Sequence, residues 1–119
     1  MSDLDPIAFP GSRGRSGRPQ APSRVTFERR ELDRILHLYG RMVAAGEWRD
    51  YAIQFLKDRA VFAVFRRAAE IPLYRIVKDP ALTRRQGAYA VVAASGRVLK
   101  RGHDLERVLR TLEPLRLVN

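Results

Sequence analysis

The chain has no cysteine, only two histidines, one tryptophan and three lysines, at Lys57, Lys78 and Lys100. Without cysteine it forms no disulfide, holds no metal through thiolates and runs no thiol chemistry. Long apolar runs are also missing. The longest, Ala88 to Ala94, falls far short of the roughly 20 residues that a membrane helix needs. No apolar segment follows a basic one near the N-terminus, so neither a secretory signal nor a membrane partner is expected, and the expected setting is the cytoplasm. Glycines cluster only at Gly11, Gly14 and Gly17, with no strand before them, so no phosphate-cradling loop is indicated.

What the chain has is arginine. Lys and Arg total 23 against 13 Asp and Glu, giving net charge +10 and a pI near 11.1. That exceeds the value of about 9 that marks nucleic-acid-binding candidates. A GC-rich genome's codon usage produces the same excess without any ligand. The length of 119 residues suits one domain, and 45% hydrophobic residues supply a core. The opening "MSDLDPIAFPGSRGRSGRPQAPSR" holds four of the seven prolines and three of the eight glycines. Residues 1–24 therefore read as a disordered tail before a single domain over 25–119. Arg13, Arg15, Arg18 and Arg24 face only Asp3 and Asp5 there, which leaves +8 of the charge to the domain.

The spacing predicts a helix from Thr26 to about Ala45, with Leu32, Ile35, Leu36, Tyr39, Met42 and Val43 inward. Thr26 is the expected cap, and Gly46 the stop. Asp50 to Lys57 and Ala60 to Arg66 then read as a hairpin turning at Asp58-Arg59, with Phe55 opposite Phe62 and Ile53 opposite Val64. Those four residues define a core face. The other face carries Ala52, Gln54, Leu56, Val61, Ala63 and Phe65. A third strand runs from Leu73 to Lys78, between two prolines. The last two, Ala88 to Ala94 and Arg97 to Arg101, turn at Ser95-Gly96. Asp104 caps a final helix that buries Leu105, Val108, Leu109 and Leu112, stopped by Pro114. The expected fold is α+β: a five-stranded, mostly antiparallel sheet with an N-terminal and a C-terminal helix packed on one face.

The segments "YGRMVAAGEWRDYAI", "FRRAAEIPLYRI" and "GAYAVVAASGRVLKRGHDLERVL" resemble an uncharacterised alphaproteobacterial family of unknown function, DUF2794-like, over about Val25 to Leu112. The resemblance implies a small bacterial cytoplasmic protein and transfers no activity, cofactor or site residue.

For chemistry, the residues point away from catalysis. His37 lies on a basic helix face and His103 precedes a cap, so neither is placed as a general base. Ser95 sits in a turn with no base beside it, and no cofactor or metal is implied. Trp48, in "GEWRDY", reads as a packing residue at the helix-to-strand joint. The expected function is non-enzymatic binding of nucleic acid, a ribonucleoprotein or another polyanion. Arg84, Arg85 and Gln86 would anchor it, Arg97, Lys100 and Arg101 would extend the path, and Arg30, Arg34 and Arg41 would add a helix stripe. Tyr74 and Tyr89 stand near arginines, where they either stack bases or pack across strands. The alternative is a homodimer or a protein partner held by the second sheet face through Leu56, Val61 and Phe65.

Overall fold

The computed structural model describes residues 24–67 and 71–113. Apart from Arg24, the expected tail lies outside the described residues, and so does Pro114. Helix α1 (Arg29–Ala44) leads into five strands: β1 (Asp50–Phe55), β2 (Ala60–Phe65), β3 (Tyr74–Lys78), β4 (Tyr89–Ala93) and β5 (Val98–Gly102). A short helix α2 (Leu105–Leu109) follows and tightens into a 3-10 turn over Arg110–Leu112. Each strand pairs antiparallel with the next in sequence, in the order β1-β2-β3-β4-β5. The fold is α+β with two helices, as the spacing predicts.

α1 starts two residues later than Thr26 would have it. Glu28 is the N-cap, and a capping box joins it to Glu31, whose carboxylate accepts the Glu28 N–H at 2.7 Å. Glutamate does the work that Ser or Thr usually does in such a box. Gly46 ends the helix with φ +79°, in the left-handed region that glycine tolerates. The buried stripe of α1 is Glu31, Ile35, Leu38 and Met42. Leu32, Leu36 and Tyr39 flank it half-buried, and Val43 is exposed.

Strand alternation sends Phe62 and Val64 of β2, Ile76 of β3 and Val91 of β4 into one core with α1, Trp48, Leu105, Val108, Leu109 and Leu112. Both helices therefore lie on the first sheet face. The β1–β2 turn is centred on Lys57-Asp58, one residue earlier than expected. Phe55 accordingly pairs with Ala60, and Ile53 with Phe62. The Leu56 N–H closes the turn on the Arg59 carbonyl at 2.8 Å. This two-residue slip keeps every side chain on its face, because the side-chain period is two. It sets the small Ala60 opposite Phe55, whose ring meets Phe27 edge-on at 6.4 Å but, on an edge strand, stays 39% exposed and outside the buried core expected of it. The β4–β5 ladder carries an irregularity, where Val91 pairs with Lys100 but Val92 with Val98.

Candidate functional site

The nine basic and polar residues singled out in the sequence divide among three places. Arg30, Arg34 and Arg41 are exposed on α1, on the helical side of the molecule. Arg34 pairs with Glu106 at 2.6 Å and Arg41 with Glu113 at 2.7 Å, so these arginines clip α1 to the C-terminal helical turns. Such exposed pairs are worth at most about 1 kcal/mol each. The cleft of about 500 Å³ beside them is lined by Glu28, Glu31, Asp104 and Glu106 as well as by Arg30, Arg34, Tyr89 and His103. A polyanion would meet four carboxylates there. Within the stripe, Arg34 and Arg41 thus have a structural partner each, while Arg30 only approaches Glu28, at 4.0 Å.

Arg84, Arg85 and Gln86 sit elsewhere, in the β3–β4 loop, and all three are exposed. The loop backbone is fixed. One carbonyl, that of Leu82, accepts the N–H groups of Arg85 at 3.0 Å, Gln86 at 3.1 Å and Gly87 at 2.9 Å. Asp79 accepts the Ala81 N–H at 3.2 Å, and the Thr83 hydroxyl donates to the Pro80 carbonyl at 2.8 Å. Among the described residues, neither guanidinium of this loop has a hydrogen-bond or ion partner. Arg101 reaches the same loop and donates to the Gly87 carbonyl at 3.5 Å. The meander also places the β1–β2 turn, with Lys57 and Arg59, at this end of the sheet. Arg97 lies in the β4–β5 turn at the opposite end, and Lys100 is exposed on the edge strand between them.

The second sheet face, opposite the helices, forms two cross-strand rows. One runs Gln54, Val61, Val77, Ala90, Arg101; the other runs Ala52, Ala63, Arg75, Val92, Val98. Phe65 flanks them on β2. Every described helix contributes its buried residues to the core on the other side, so no described helix covers this face. Val61 is buried and Phe65 half-buried there; Leu56, half-buried, lies just beyond the end of β1. Arg75 is half-buried at the centre, with no side-chain partner among the described residues.

One cluster escapes the sequence reading. Glu31 is only 8% exposed, yet it accepts from the Lys78 ammonium at 2.7 Å, from the Tyr89 hydroxyl and from the Glu28 N–H. Lys78 also donates to the Thr26 carbonyl at 3.0 Å. Burial pushes the Glu31 carboxyl up, but the hydrogen bonds from Lys78, Tyr89 and Glu28 and the ammonium charge outweigh it. The net pKa lies below the ordinary carboxylate value. Burial, then the bond to Glu31 and its charge, drive the Tyr89 phenol well above its usual range. A phenol held protonated is a poor nucleophile, so this cluster fastens α1 to β3 and β4. A readable signal does exist: Tyr74, Ile76 and Lys78 alternate on the core face, and a lysine there calls for a buried acid. Tyr74 and Tyr89 both pack against the core, so they serve cross-strand packing and not an open stacking surface.

The cluster predicts an acid-sensitive term in stability. Glu31 has a lowered folded-state pKa, so its contribution is present above the unfolded value of about 4.3 and is lost as pH falls through the folded value. Glu31→Gln should cost about 1.5–3 kcal/mol at pH 7, as loss of a charged hydrogen bond does. Urea unfolding at stepped pH should show that deficit closing below about pH 4. A gap that stays constant to pH 3 would mean that the carboxylate charge does not hold the cluster.

The fold and these surfaces define a basic α+β domain, an open antiparallel sheet with helices on one face and arginines on the loops and face of the other. The chain belongs to a family described as a protein of unknown function (DUF2794), whose model matches residues 25–109. Neither a curated protein nor a solved structure matches it.

Proposed function

We propose that the protein is a non-enzymatic, cytoplasmic binding protein for nucleic acid or another polyanion, which it grips through Arg84 and Arg85. One observation carries this reading. Arg34 and Arg41 of α1 are engaged with Glu106 and Glu113, whereas the arginines of the β3–β4 loop stand exposed and, among the described residues, unpaired on a backbone already fixed by the Leu82 carbonyl. With the backbone already ordered, only the side-chain freedom of the two arginines is lost on meeting a phosphate.

Replacing both Arg84 and Arg85 with Ala should leave unfolding free energy within about 0.5 kcal/mol, as surface changes usually do. The double variant should weaken binding to labelled oligonucleotides of every sequence. It should also flatten the log-affinity against log-salt slope by about 1.4 for a single strand, about 0.7 for each phosphate no longer neutralised. No binding by the unaltered protein at low salt would overturn the proposal.

The second sheet face, which no described helix covers, supports a rival reading, a homodimer or a protein partner seated on Val61 and Phe65 beside Leu56. Association of that kind should persist at high salt, because apolar burial is not screened.

A further inference from the structure

The second sheet face has a composition that fits one kind of occupant. Its two rows are apolar except for Gln54, Arg75 and Arg101, and the only carboxylate on its strands, Asp50, lies at the β1 edge. At its centre Arg75 is flanked in register by Ala63 and Val92, half-buried and without a partner among the described residues. Arg101 joins the face to the loop that carries Arg84 and Arg85.

A second copy of the chain fits badly. Two such faces packed together would bring Arg75 and Arg101 of both copies into one interface with scarcely an acid to meet them. Burying unpaired like charges is strongly unfavourable, because each loses its hydration without gaining a counter-charge. A duplex fits badly too, because it keeps its base faces stacked inside and offers only phosphates and groove edges. The valines and Phe65 would then touch nothing they favour. A single strand offers both parts: ring faces for the apolar rows, and a phosphate beside each guanidinium.

We infer that the second face of the sheet, which no described helix covers, is the bed of a single-stranded nucleic acid, with Arg75 contacting the strand at mid-face and Arg84 and Arg85 holding it where it leaves the sheet. The inference rests on the proposed polyanion binding and narrows it to a ligand and a surface. Arg75 is the residue that separates the two, since a polyanion gripped only by the loop has no use for it.

The test uses the full chain with a fluorescent single-stranded oligonucleotide and the matching duplex, titrated by anisotropy at the same low salt. The single strand should bind at least roughly tenfold more tightly, because only it adds base contacts to the phosphate contacts. Arg75→Gln should weaken the single strand about tenfold and the duplex little, with a circular-dichroism melt confirming that the variant folds. In the unaltered protein, adding the single strand should shift the backbone amide resonances of Ala63, Val77 and Val92 and leave those of α1 in place. Equal binding of strand and duplex, with Arg75→Gln silent but the Arg84 and Arg85 double variant weakened, would overturn this inference and spare the proposed function. Shifts of the face residues that follow protein concentration instead of added strand would also overturn it, and would assign the face to a second copy. Absence of binding to either oligonucleotide would sink both.

Discussion

Phe62→Ala should lower the unfolding free energy by about 3–5 kcal/mol, the range for emptying a buried aromatic site. Phe62 is fully buried on β2, the second of five strands, so its ring has neighbours from the sheet and from the helix layer. The Tyr51 ring stacks on it at 4.8 Å and 14°, and the Tyr39 ring of α1 meets it edge-on at 6.2 Å. Ile53 and Ile76 are its register partners across the two ladders. The loss therefore combines transfer of a large apolar side chain with a cavity that side chains on three elements cannot close without leaving their rotamers. Gln54→Ala, one position along the partner strand but on the other face, is the control and should cost under about 1 kcal/mol. Denaturant unfolding of the two variants decides it. Equal costs would mean that both faces of the hairpin are buried to the same degree.

Gly87→Ala should be comparably severe, for a different reason. Gly87 has φ +102°, where an L side chain is strained by about 1–3 kcal/mol. A Cβ there would also overlap the carbonyl carbon and oxygen of Gly102 and come within 2.6 Å of the His103 N. These are backbone atoms at the end of β5, so nothing swings aside; either the loop lifts off or β5 moves. We expect a total loss of at least about 3 kcal/mol, at the upper end of that strain range before the overlap is added. Polyanion affinity should fall as well, since the same loop holds Arg84 and Arg85. Gly40→Ala is the contrast. Its Cβ would meet nothing within 4 Å, and Ala in an exposed helix interior is favoured by about 1 kcal/mol. A thermal melt that ranks Gly87→Ala level with Gly40→Ala would show that the loop does not dock on β5.

Much of this architecture can be read from residue order. Alternation in "YAIQF" and "AVFAVF" separates the faces of β1 and β2 even though the turn falls one residue before Asp58-Arg59, because a slip of two residues in register preserves facing. Ser95-Gly96, Asp104 and Gly46 each stand where a turn, a cap and a helix stop require them, and Gly96 has φ +94°. Other features depend on contacts between distant residues. Glu31 looks in sequence like any first-turn acid; its burial follows from Lys78 and Tyr89, 47 and 58 positions away. The pairing of Arg34 with Glu106 likewise arises only when α2 returns beside α1, which is why the helix stripe reads in sequence as an open basic surface. The irregularity between β4 and β5 has no glycine or proline to announce it. Arg75 stands out only in three dimensions, because a lone arginine in a strand gains meaning once it is seen at the centre of a face that no described helix covers.

The next-neighbour order of the strands also governs the sequence of events in assembly. Every ladder joins segments linked by a short connection, so the sheet can zip up hairpin by hairpin with little loop-closure entropy at each step. α1 is different. It leaves the ribosome ahead of all five strands, while the groups that anchor its first turn arrive with Lys78 and Tyr89, and the clip at its far end arrives with Glu113. Throughout that interval the stripe of Ile35, Leu38 and Met42 has no completed surface to rest on. Nascent chains of this protein should therefore be most exposed to chaperones and proteases through this helix, and that exposure should end only when the C-terminal helical turns with Leu109, Leu112 and Glu113 are made.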